Sequence, residues 1–156
     1  MEGMMELTEF NKTTIKKILV FRMEREEYGI DISSISTIIE KTMDITRIPK
    51  TAQFVKGVIN LRGEIVPVEN LRLRLGFDEI QDTEDSRIII VKGDEMSVGL
   101  IVDSVSEVLP IQEGQIESPA GISPELFMQE VREVAKVDGR VITVLDVDRI
   151  ISLIPD

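Results

Sequence analysis

The chain has no cysteine and no histidine. Without thiols it can form no disulfide and offer no thiolate nucleophile, and it suits a reducing compartment. Without imidazole it lacks the commonest general base and metal ligand at neutral pH. Aromatic residues make up only 4% of the sequence, so the 42% hydrophobic content is carried largely by Ile, Val and Leu. Positive charge is also scarce: 18 basic residues face 29 acidic ones, a formal charge of −11. That balance argues against nucleic acid or an anionic membrane surface as a partner. No apolar run approaches the ~20 residues that a membrane span needs, so no direct membrane insertion is expected. Met1 to Thr14 carries Glu2, Glu6 and Glu9 before any basic residue, unlike a signal peptide. These absences together predict a soluble, cytoplasmic protein.

What the sequence does contain is a set of β-branched runs joined by short turn signals. Its 156 residues (17.6 kDa) suit one compact unit, or two small halves sharing a core. The central stretch is Gly57 to Val68, two apolar strands meeting at Arg62-Gly63. Glu133 to Val144 has the same form, with Asp138-Gly139 at the turn. Setting Gly63 on Gly139 puts Ile65 on Val141, Val68 on Val144 and Leu71 on Val147. Both glycines are expected at positive φ as structural turns. Arg62 breaks the pattern, because it tolerates positive φ less readily than Asp138 does. It is either an ordinary turn residue or a place to look for function.

A second pair of hairpins repeats in the same way. Ile18 to Phe21 and Tyr28 to Ile32 form one, Ile88 to Val91 and Val98 to Val102 the other. Placing Gly29 on Gly99 puts Phe21 on Val91, Ile35 on Val105, Ile38 on Val108 and Ser33 on Asp103. Ile32, Ile35, Ile38 and Ile39 fall at i, i+3, i+6 and i+7, which predicts a short helix with Ser33 as its N-cap. That apolar stripe reads either as core or as a partner-binding face. Each half thus reads as hairpin, helical turn, loop, hairpin, an internal duplication. The predicted organisation is a flexible tail over 1–14 and a single domain over 15–156. Its first half covers about 15–77, an acidic connector 78–86, and the second half 87–156. A loop is expected from Glu113 to Glu130, holding Pro119, Gly121 and Pro124 and one helical turn around Leu126. The last element expected is a helix from Asp148 to Ile154. Close-spaced short strands favour small barrels packed together with a groove between them.

Little here points to catalysis. Asp146-Val147-Asp148 is the best carboxylate pair, read as a magnesium site or, more simply, as Asp148 capping the last helix beside a solvated Asp146. Serines have no nucleophile-elbow context and no histidine to activate them. No glycine-rich phosphate loop with its lysine is present. No cofactor is therefore expected. A metal-dependent enzyme or a phosphoacceptor built on Asp146 and Asp148 is the distant alternative.

The residues Phe21, Glu27 to Ile32, Ile45 to Pro49 and Phe54 to Gly63 resemble the CheW-type chemotaxis coupling family. Arg87 to Val91 and Val98 to Val105 continue the likeness, which covers nearly the whole chain from about Ile15. The resemblance implies a mostly β fold of two small SH3-like β-barrels, and it allows strands to be exchanged between the halves. It implies an adaptor without catalytic activity that joins chemoreceptor cytoplasmic tips to the regulatory domain of a CheA-type histidine kinase. On the family pattern Ile35, Thr37, Ile38, Asn60, Leu61, Arg62, Val102 and Val105 border the receptor groove. Ile45, Thr46, Lys56, Gly57 and Ile65 lie nearer the kinase-contacting surface. This sequence departs from the pattern at Thr37, where glutamate is common. It departs again at Glu69-Asn70, which replaces an isoleucine or valine followed by aspartate. The related alternative is a regulatory module of a kinase or of a CheV-like protein.

Overall fold

A computed structural model describes residues 14–40, 44–49, 54–118 and 130–152. The tail over 1–13, the loop around Leu126 with Pro119, Gly121 and Pro124, and the end of the last helix at Leu153 and Ile154 lie outside the described residues. The strands are β1 (Thr14–Met23), β2 (Glu26–Asp31), β3 (Ile35–Glu40), β4 (Val55–Leu61), β5 (Glu64–Asn70), β6 (Arg87–Lys92), β7 (Ser97–Val102), β8 (Ser104–Gln112), β9 (Ile116–Glu117), β10 (Val131–Val137) and β11 (Arg140–Leu145). Two short helices, α1 (Leu71–Arg74) and α2 (Val147–Ser152), follow β5 and β11.

Each sheet draws on both halves of the chain. A six-stranded sheet has the order β8-β1-β2-β11-β10-β9, and a five-stranded sheet has the order β3-β6-β7-β5-β4. Under the alignment of the duplicated segments the two orders coincide, β9 apart. The register coincides as well. Val144 faces Gly29 in the parallel β11–β2 pair, and Val68 faces Gly99 in the parallel β5–β7 pair. Phe21 faces Val105, and Val91 faces Ile35. So the N-terminal hairpin of each half is built into the sheet of the other half. The sheets form two small SH3-like barrels, packed together.

Strand alternation explains the unbroken apolar runs. In β1, Ile18 and Val20 point into a core formed by the six-stranded sheet, while Leu19, Phe21 and Met23 point the other way. In β6, Ile88 and Ile90 enter the core of the five-stranded sheet, while Ile89 and Val91 turn outward. The residues facing away from the two barrel cores meet in a third and larger core between the sheets, which also takes Tyr28, Leu71, Val102 and Ile150. Strands buried on both faces read as continuous hydrophobic runs, and these two do.

The structure corrects three readings. The isoleucines after Ile32 do not form a helix of two turns: one 3-10 turn over Ile32–Ser34 leads into strand β3. Its cap is Asp31, whose Oδ1 accepts from the Ser33 backbone N–H at 2.9 Å, so Ser33 is not the N-cap. The aligned segment in the second half, after Asp103, is likewise a strand, β8. The physical reason is a β-bulge. The register of β3 against β6 shifts between Ile35 and Thr37, and that of β8 against β1 shifts at the equivalent place. One extra residue puts Ile35 and Ile38 on the same face of a strand, which imitates the i, i+3 spacing of a helix. Finally, Asp146 rather than Asp148 caps α2: its Oδ1 accepts from the Arg149 N–H at 3.1 Å, and Asp148 is exposed. The equivalent residue Asn70 caps α1 in the same way, through the Arg72 N–H at 3.0 Å.

Candidate partner-binding surfaces

The first surface lies along the edge strands β3 and β8. Ile35 and Val105 both pack, half-buried, on the core between the sheets. Ile38 opposes Ile89, and Val108 opposes Leu19, and both of those partners belong to that same core. Directly opposed residues in an antiparallel pair share a face. Ile38 and Val108 therefore continue the apolar rows begun by Ile35 and Val105, with 38% and 50% of their surface open to solvent. The rows are related by the duplication. Val108 is not among the groove residues expected from the sequence, although its alignment with Ile38 is legible there. Thr37 opposes Ile90 and so faces the core of the five-stranded barrel. Val102 is buried at 1% exposure in the core between the sheets. The resemblance puts it at the receptor contact, and its side chain is covered by its own fold.

The second surface is the outer face of the β4–β5 hairpin. Ile59, Val66 and Val68 point into the barrel core, so Val58, Asn60, Ile65 and Pro67 face outward by alternation. Ile65 is 61% exposed, the most of any large hydrophobic residue described. The segment Asp44–Pro49 runs beside β4. Thr46 and Val58 exchange backbone hydrogen bonds of 2.8 Å, and Ile45 packs half-buried on the barrel core. Gly57 makes that approach possible. It is buried at φ 153°, and a Cβ built on it would lie 2.2 Å from the Thr46 carbonyl oxygen. Gly57, expected near the kinase-contacting surface, thus permits the backbone approach of Thr46 to β4. Lys56 is ion-paired with Glu79 of the acidic connector at 2.7 Å.

At the hairpin's end Arg62 and Gly63 have φ of 54° and 86°, and Asp138 and Gly139 have 50° and 79°. Both turns are the mirror-image type that suits the twist of paired strands. Asn60 fastens the first one, its Oδ1 accepting from the Gly63 N–H at 2.9 Å. Leu61 and Ile39 pack on the same barrel core, which brings the turn toward the edge held by β3. Arg62 is exposed and makes no hydrogen bond or ion pair among the described residues. A charged residue in a left-handed conformation, with no partner among the described residues, is free to meet another molecule.

Other charges are paired across strands. Glu27 is held below the usual glutamate range by its hydrogen bonds from Arg140, across the β2–β11 pair. Tyr28 lies beside it and donates to Glu26 at 2.8 Å, and burial pushes its hydroxyl pKa upward. Glu26, Glu27 and Tyr28 line an open cleft of about 400 Å³ with Leu75, Val131 and Val141. Among the described residues no group of three or more acidic side chains is arranged to hold a metal ion. Asp146 is committed to its helix cap.

Two pseudo-equivalent barrels carry apolar side chains open to solvent on the edge strands β3 and β8 and on the β4–β5 hairpin. The CheW-like domain family matches residues 17–154, and the chain belongs to that family. It is 33% identical to the chemotaxis protein CheW of Bacillus subtilis, over 92% of this chain and 95% of that protein. It is 40% identical to the chemotaxis protein CheW of Thermotoga maritima, over 87% of each. Its fold matches the crystal structure of the scaffolding protein TtCheW from Thermoanaerobacter tengcongensis with a TM-score of 0.78 and 42% identity. That match covers 84% of this chain and 88% of the other. The chain is a scaffolding and coupling protein of chemotaxis signalling. No helix among the described residues is long and apolar enough to cross a membrane.

Proposed function

We propose that this chain works without catalysis in the cytoplasm, joining the cytoplasmic tips of chemoreceptors to the regulatory domain of a CheA-type histidine kinase. The observation that carries the reading is the β4–β5 hairpin, where Ile65 is open to solvent and Arg62 has no partner among the described residues of its own fold. Interfaces are anchored by a few apolar or arginine side chains and oriented by charges, and this hairpin offers both. In this assignment Ile65, Val58 and Thr46, with Lys56 at their edge, meet the kinase. Ile35, Ile38, Val105 and Val108 take the apolar face of a receptor helix. Arg62, Asn60 and Leu61 border the groove, and the planar guanidinium pairs with a carboxylate or carbonyl on the helix.

Substitutions at three positions test the two contacts. Ile65→Asp should lose the kinase domain and keep the receptor tip, and Ile38→Asp should do the reverse. Arg62→Ala should leave stability within roughly 0.5 kcal/mol and weaken the ternary complex by about 1–3 kcal/mol, with Arg62→Lys recovering part of it. Binding of purified kinase regulatory domain and receptor-tip fragment, with melting curves on the same samples, checks all three. Undiminished binding of both partners by Ile65→Asp, Ile38→Asp and Arg62→Ala would overturn the assignment.

A further inference from the structure

Where β5 runs into α1, a carboxylate lies in the protein interior. Glu69 and Arg74 have side chains only 1% and 3% exposed. Arg74 Nη1 donates to both oxygens of Glu69, at 3.0 and 3.2 Å. Its Nη2 donates to the carbonyl of Ile150 in α2 at 3.0 Å, and its Nε lies 3.5 Å from Glu130 Oε1, just before β10. Phe54 lies against the guanidinium, 4.4 Å from ring centroid to Cζ. Four separate parts of the chain, from both halves, therefore meet at one arginine.

The charge count in this site does not balance: two carboxylates share one guanidinium. Among the described residues no other charge offsets them from the elements packed around it. Arg72 of α1 is spent on Glu24, Asp103 and the Asp78 carbonyl. Lys56 pairs with Glu79, and Arg132, Asp148 and Arg149 are exposed. Asp146 carries the cap of α2, and β7 places apolar Leu100 opposite Glu69. Burial and the second carboxylate both favour the protonated form of Glu69, and the single guanidinium opposes them.

We propose that Glu69, Arg74 and Glu130 form a proton-linked latch that fastens α2 and the start of β10 to α1. When a solvent proton binds a Glu69 oxygen, its pairing with Arg74 weakens, and the full charge of Arg74 serves Glu130 and the Ile150 carbonyl. When Glu69 ionises, the site carries a surplus negative charge and α2 is held less firmly. Burial pushes Glu69 up to about 7, with Arg74 opposing and Glu130 adding to the shift, so the event falls in the physiological window. Because the folded value is raised above the ordinary 4.5, the folded state binds the extra proton. Stability from this group is then fully present below about pH 4.5 and declines as pH rises through about 7.

The test uses the full chain as wild type, Glu69→Gln and Glu130→Gln. Carboxyl carbon NMR of the wild type should show Glu69 titrating near pH 7, and Glu130→Gln should move that midpoint lower. Urea unfolding should show the wild-type folding constant dropping about tenfold from pH 6 to pH 8, and Glu69→Gln should remove that drop. Amide exchange in α2, corrected for intrinsic rates, should lose protection over the same range in the wild type alone. A Glu69 midpoint in the ordinary glutamate range would overturn the proposal, and so would α2 protection that does not change with pH. The NMR and exchange readings on the wild type decide the matter even if a variant fails to fold.

Discussion

At the scale of single residues, two glycines on one hairpin illustrate how differently the same substitution acts. Gly63 sits at φ 86° with open space where a Cβ would project, so alanine there meets only backbone strain. Gly57 sits at φ 153° with the Thr46 carbonyl where its Cβ would go, so alanine meets strain and a backbone clash together. Gly63→Ala should cost about 1 kcal/mol, and Gly57→Ala about 3 kcal/mol or more. Urea unfolding of both variants checks the ranking, and equal costs would mean that Asp44–Pro49 does not press on β4. The turn glycine is legible because it stands beside Arg62 between two β-branched runs. The packing glycine is not, because its neighbour Thr46 is brought there by the fold. Val102 is expected at the receptor groove from the resemblance alone, and strand alternation does not tell which of two faces is covered.

At the scale of elements, hairpins can be read from the sequence and edge strands cannot. The hairpin strands with runs such as Ile88 to Val91 are buried on both sides, so their sequence carries no competing period. In β3 the bulge between Ile35 and Thr37 breaks the two-residue period, and the isoleucines take on a helical spacing. The same happens in β8 around Val105, and the duplication carries the false helical signal from one half to the other. Both caps lie two residues before the ones the sequence suggests, Asp31 for Ser33 and Asp146 for Asp148. Asp146 reads from the sequence as solvated, and the start of α2 at Val147 puts it at the cap instead. Asp146→Ala should therefore cost about 1 kcal/mol through the lost cap, and Asp148→Ala less than about 0.5 kcal/mol. Thermal melts of the two variants check this, and a larger loss at Asp148 would return the cap to that residue.

At the scale of the whole molecule, the exchange of hairpins decides how the chain holds together. The six-stranded sheet needs β1 and β2 from the first half, and the five-stranded sheet needs β6 and β7 from the second. The core between the sheets takes Phe21, Tyr28 and Leu71 from one half, and Ile89, Leu100 and Ile150 from the other. Buried charge crosses the division as well, since Arg72 bonds Asp103 at 2.5 Å and Lys16 bonds Glu133 at 2.8 Å. A half on its own would keep its final hairpin without the central strands that hairpin pairs with, and would expose one face of each apolar run. Chains the size of one half are marginal even with a complete core. Cutting the chain within the acidic connector should thus give fragments 1–80 and 81–156 that are each unfolded or aggregated alone. Mixed in equal amounts they should restore the sheet signal in far-ultraviolet circular dichroism and a dispersed amide spectrum, since the connector supplies no core residue. The mixture should also bind the two proposed partners, the kinase domain and the receptor tip. A fragment that folds cooperatively by itself would show that each half closes its own barrel, and the exchanged pairing of β2 with β11 and β5 with β7 would have to be abandoned.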